Sequence, residues 1–184
     1  EAILIGYDYG ETFPWDRIPK GMPVIMADVS LKMPDMAALH KHSGYQLTWI
    51  DHHISAIMDF KEYFSDPSTN NPVAVLDSKI SACEGVWKRL FPEDDIPTAV
   101  TLLGEYDTWR KANKAHWERS VMPFQFGMRS RCISAETFPV SLLSQDVDVW
   151  EVILEIIKEG TLILDYQRQM NAINSKGAFE AFFK

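Results

Sequence analysis

The chain has 184 residues, of which 46% are hydrophobic, 12% aromatic and 24% charged; this composition excludes disordered and fibrous classes and allows one domain, or one domain with part of another. Its net charge of −8 opposes wrapping of a long duplex, whose binding is driven largely by phosphate neutralisation, so any nucleic-acid substrate should be short. No apolar stretch nears the ~20 residues of a membrane span and no basic-then-apolar leader opens the chain, which predicts a cytoplasmic protein without a membrane partner.

In chain order, Ala2–Asp8 is a short aliphatic run bounded by glycine and acid, the pattern of a buried strand. Pro23–Val29 reads as a second strand whose β-branched core stops at Asp28, and Pro34–His42 follows with Met36 and Leu39 at helical spacing. Gly44 ends that helix, and Tyr45–Ile50 forms a third strand that runs into Asp51-His52-His53. After a Pro/Asn/Ser/Asp-rich loop, Val73–Leu76 is a fourth strand, and Ser81-Ala82-Cys83-Glu84 matches a capping box that opens a helix through Leu90. A further helix from about Ile96 enters Gly104-Glu105-Tyr106-Asp107, a short helical piece lies around Phe124–Met128, and a long amphipathic helix is expected from about Gln145 to Asn174, with a bend at Gly160 and a frayed end at Phe182-Phe183-Lys184. Strands alternating with helices predict an α/β fold with a mainly parallel sheet flanked by helices. Cys83 and Cys132 stand apart, outside any CxxC or Cys/His cluster, and predict neither a disulfide framework nor a zinc ribbon.

Ligands of open parallel sheets bind outside the carboxyl ends of the strands. Two predicted strands end there in metal-capable side chains: Asp28, and the Asp51-His52-His53 triplet. Mixed imidazole and carboxylate donors suit Mn²⁺ first, with Fe²⁺, Co²⁺ or Zn²⁺ also accommodated and Mg²⁺ favoured only by oxygen alone. A single aspartate after a strand is most often a turn former, and Asp107 alone reads equally as a carboxylate satisfied by backbone N–H groups. His40, His42 and His116, each beside or near a lysine, read as surface residues.

Taken in order, Met26-Ala27-Asp28-Val29-Ser30, Trp49-Ile50-Asp51-His52-His53, Ser81-Ala82-Cys83-Glu84 and Gly104-Glu105-Tyr106-Asp107 resemble the motifs of the DHH phosphoesterases. Tyr9–Trp15 and Tyr106-Asp107-Thr108-Trp109 add a likeness to the oligoribonuclease and exopolyphosphatase-like branch. The resemblance implies a Mn²⁺-dependent hydrolase with two divalent metals (Mg²⁺ or Co²⁺ being alternatives), acting on short oligonucleotides, dinucleotides or other small phosphorylated substrates. It implies that Asp28, His52 and Asp107 hold metal, that His53 contacts the phosphate, and that Asp51 orients a histidine. Alternatives of the same chemistry are exopolyphosphatase-like or nucleotide phosphatase activity, and a non-catalytic nucleotide-binding or regulatory module is the rival outside it.

Two departures accompany the resemblance. The family's opening His-x-Asp-x-Asp or Asp-x-Asp motif has no match, Tyr7-Asp8-Tyr9-Gly10 being the nearest string, and the small glycine-rich substrate-binding domain is missing. The expectation is therefore an internal piece of a longer protein: a DHH-type catalytic domain at 1–145, incomplete at its N-terminus, and a linker helix at 146–184. Prepared alone it should be a poor hydrolase, and a second copy of the chain is a candidate partner.

Overall fold

The computed structural model describes residues 2–66, 68–144 and 148–177. The chain divides into two compact units, Glu1–Asp95 and Ile96–Lys184. No helix among the described residues is long and apolar enough to cross a membrane.

The first unit alternates strand and helix: β1 (Val24–Ala27), α1 (Met33–His42), β2 (Leu47–Asp51), α2 (Ile54–Tyr63), β3 (Val73–Leu76) and α3 (Ala82–Leu90). The strands lie in the order β1-β2-β3 and both pairings are parallel, with Ala27 beside Ile50 and Asp51 beside Leu76. Because successive side chains on a strand point to opposite faces, Leu47, Trp49 and Asp51 share one face of β2 and Ile50 takes the other. Leu47 and Trp49 are wholly buried among Met33, Met36 and Leu39 of α1 and Ala56 of α2. On the opposite face α3 comes close enough that a Cβ on Gly85 would stand 2.7 Å from Ile50 Cγ2. The sheet is thus parallel, three-stranded among the described residues, and flanked by helices on both faces.

The strand expected at Ala2–Asp8 does not form: residues 2–8 carry no regular structure, and Ile3 and Leu4 are exposed. An aliphatic run becomes a strand only where a neighbouring edge accepts its hydrogen bonds and another layer covers it. Here aromatic rings anchor the segment instead. Tyr7 meets Phe13 edge-on at 5.2 Å, Phe13 meets Trp15 at 4.9 Å, and all three pack on the α1–β2 core. Helix α2 is unanticipated, and β2 starts two residues later than expected because Tyr45 takes a left-handed backbone, φ 64°. The capping box of α3 is present, Ser81 Oγ accepting from the Glu84 N–H and the Glu84 carboxylate from the Ser81 N–H.

The second unit is helical. After α4 (Thr98–Asp107), the single turn α5 (Lys114–His116) passes through a π-helical segment (Trp117–Val121) into α6 (Met122–Arg131), and α7 (Val149–Asn174) follows two short 3₁₀ turns. The expected start of the long helix at Gln145 and its frayed end at Phe182–Lys184 lie outside the described residues. Phe124, Val121, Leu142, Ile153 and Ile156 form the fully buried centre of this unit. Helices α6 and α7 cross backbone against backbone: a Cβ on Gly127 would collide with the Ile156 carbonyl, and one on Gly160 with that of Pro123. Gly160 is therefore a contact point inside a continuous helix. Beside the crossing, Arg131 grips Glu159 through two hydrogen bonds of 2.7 and 2.6 Å, which raise the guanidinium pKa and lower that of the carboxyl. Tyr106, Trp109 and Trp117 form an aromatic stack, the Tyr106 and Trp117 rings 5.7 Å apart and Lys111 Nζ 3.6 Å over the Trp109 ring.

Candidate metal centre

Parallel pairing of β1 with β2 delivers Asp28 and His52-His53 to the same edge of the sheet, since each follows its strand at the carboxyl end. The ladder is carried one step past β1 by the Asp28 N–H, which donates to the Ile50 carbonyl at 3.0 Å. There the backbone of Asp28 turns to φ 62°, a left-handed conformation that Asp and Asn tolerate better than other side-chain-bearing residues. The turn is braced from two sides. Trp49 Nε1–H donates to the Val29 carbonyl at 3.1 Å, and the Ser30 N–H donates to the Tyr9 hydroxyl at 3.0 Å. Tyr9 thus fastens the N-terminal segment to the loop that presents Asp28.

Asp51, on the same face of β2 as Leu47 and Trp49, has its side chain fully buried. Its Oδ1 accepts the N–H of His52 at 2.7 Å and of His53 at 3.0 Å, and lies 2.7 Å from His53 Nδ1. A carboxylate only accepts, so Nδ1 carries the proton of that bond and Nε2 of a neutral His53 keeps its lone pair. Asp51 Oδ2 is buried with no hydrogen-bond partner. This residue shapes the turn and fixes the His53 ring, while His53 opens α2 as its N-cap.

The histidines differ in setting. The His52 side chain is 12% exposed and its Nε2 stands 3.1 Å from Asp28 Oδ1, whereas His53 is about half exposed with Nδ1 4.0 Å from the same oxygen. Their rings lie 4.4 Å apart, tilted by 43°. One ligand atom each from Asp28, His52 and His53 can be chosen so that all lie within 4.8 Å of one another. Two atoms bound to one ion at ~2.0–2.2 Å can be at most about 4.4 Å apart. The Asp28–His52 separation falls inside that limit and the widest needs only a sub-ångström closure. One carboxylate oxygen and two imidazole nitrogens at the mouth of a parallel sheet are a donor set of the kind that divalent transition-metal ions accept.

Of the residues singled out in the sequence, Asp28, Asp51, His52 and His53 come together, and Asp107 is the exposed last residue of α4, in the second unit. The sequence does not disclose that Asp51 orients His53 rather than His52, because that depends on side-chain rotation. The contribution of Tyr9 is equally hidden, since 21 residues separate it from Ser30. No family model, curated protein or solved structure matches the chain.

Proposed function

We propose that the chain carries the catalytic core of a divalent-metal phosphoesterase that hydrolyses phosphodiester bonds of short oligonucleotides or dinucleotides to nucleoside monophosphates. The observation that carries this reading is the convergence of Asp28, His52 and His53 at the carboxyl edge of a parallel sheet, with a buried aspartate holding one of the imidazoles. In the proposal, Asp28 and His52 hold the ion; Asp107, assigned by family resemblance alone, is a further ligand. A divalent ion of this class supplies an acidified water and charge stabilisation at the phosphoryl oxygens. His53, its ring fixed by the Nδ1–H on Asp51, turns its other nitrogen to the phosphate, and in the imidazolium form that Nε2–H is a donor to the charge that grows as the P–O bond breaks. The acidic surface disfavours long duplexes and leaves small phosphorylated substrates.

The test is release of AMP from the dinucleotide pApA with and without Mn²⁺, in the parent chain and in Asp28→Asn. Asparagine accepts the left-handed backbone at this position, so the loop is retained while a charged donor is lost. Release, slow as expected of the chain prepared alone, should require the metal and fall by at least about 10²-fold in the variant. Hydrolysis that persists in chelator, or that survives the substitution at full rate, rules the reading out.

A further inference from the structure

The opposite edge of the sheet carries a second feature that the metal centre does not use. The end of α1, the start of β2 and the end of α2 enclose a cleft of about 480 Å³, inside the range of small-molecule sites. Tyr45 and Tyr63, each about half exposed, line it, and its polar lining includes His40, Lys41, Asn70 and Asn71 together with one carboxylate, Asp66. Tyr45 lies just before β2 and His52 just after it, so the length of the strand, roughly 17 Å, separates the cleft from the metal centre.

His40 is the informative residue. Against the expectation of a surface histidine it is 4% exposed. Its Nδ1 accepts the Leu47 N–H at 3.4 Å, which assigns the proton of a neutral ring to Nε2, and Nε2 is buried with no hydrogen-bond partner. A buried donor without an acceptor costs free energy unless a ligand supplies one. Tyr45 adds an independent sign. It follows Gly44 and holds φ 64°, a conformation unfavourable for a bulky residue, while keeping its ring half exposed and edge-on to His40 at 5.4 Å. Glycine or asparagine would close this turn with less strain, and neither would place an aromatic ring at the cleft. At the rim, Lys41 is exposed and has no ion pair among the described residues.

We propose that this cleft binds a nucleoside monophosphate. Exposed tyrosine rings offer stacking faces to a planar heterocycle. A ring nitrogen or carbonyl of the base provides the acceptor that His40 Nε2–H lacks, and Lys41 takes the phosphate charge. The site is independent of the metal-centre reading, because nothing in it touches the metal ligands.

The experiment is isothermal titration of the whole chain in chelator, with AMP, adenosine and inorganic phosphate as separate probes. AMP should bind, adenosine about 10-fold more weakly, and phosphate not measurably. Tyr45→Gly, which relieves the left-handed strain and keeps the fold, should weaken AMP at least about 10-fold, and Tyr63→Ala should do the same. Lys41→Ala should reduce AMP to the affinity of adenosine, and His52→Ala should leave AMP binding unchanged, which separates this site from the catalytic reading. Absence of AMP binding at millimolar concentration, or equal affinity in the parent chain, Tyr45→Gly and Tyr63→Ala, overturns the proposal.

Discussion

His52→Ala should lower Mn²⁺ affinity by about 100-fold, whereas His53→Ala should keep the metal and lose about 10²–10³-fold in turnover. The two side chains are adjacent in sequence but differently placed. His52 is largely buried with Nε2 3.1 Å from the Asp28 carboxylate, the separation of two donors that can share an ion. His53 is half exposed, and the Asp51 carboxylate holds its Nδ1 at 2.7 Å. That contact fixes the direction of the ring, so in its imidazolium form the Nε2–H is aimed as a donor to an anionic phosphoryl group. Free Mn²⁺ measured by electron paramagnetic resonance gives the affinity, and AMP release from pApA gives the turnover. Equal metal loss in both variants would make His53 a third ligand and remove the division of roles.

Gly160→Ala should destabilise the second unit by about 2 kcal/mol or more. Alanine gains up to ~1 kcal/mol over glycine inside a helix, so propensity alone predicts stabilisation. Packing decides the other way. A Cβ at Gly160 would run into the Pro123 carbonyl and the Gly127 nitrogen, which are backbone atoms of α6 and cannot rotate away. Separating the helices would in turn open the layer formed by Phe124, Ile153 and Ile156, and overpacking of this kind costs ~1–3 kcal/mol, occasionally more. Gly177, with nothing within 4 Å of a Cβ, is the control, and its alanine variant should stay within ~0.5 kcal/mol of the parent. Urea unfolding followed by circular dichroism checks both, and a Gly160→Ala variant as stable as the control would contradict this account of the α6–α7 crossing.

What the sequence discloses follows from which signals are local. The capping box at Ser81–Glu84 closes within one turn and forms as read. Val73–Leu76 is bounded by turn residues and forms a strand over those same four residues. Helix α2 has no such punctuation: its N-cap His53 makes no side-chain cap, and Ile54, Met58 and Tyr63 are exposed while Ala56 is buried, so its apolar residues trace no clear stripe. The strand pattern at Ala2–Asp8 misleads because an aliphatic run reports the hydrophobicity of a strand and not the presence of a pairing edge. His40 misleads in the opposite sense. Its neighbours Lys41 and His42 suggest solvent, yet it lies four residues after buried Met36, on the covered side of α1. At the candidate centre, the strand-end positions of Asp28 and His52-His53 are legible from alternation and parallel topology alone. The left-handed turn of Asp28, the Tyr9 brace and the choice of His53 as the partner of Asp51 belong to tertiary structure.

The most direct measurement is anomalous diffraction at the manganese absorption edge from crystals of the chain grown with Mn²⁺. The account predicts a manganese peak at about 2.0–2.3 Å from an Asp28 carboxylate oxygen and from His52 Nε2. Manganese bound elsewhere with Asp28 and His52 still paired to each other, or no manganese at this edge of the sheet, would contradict it.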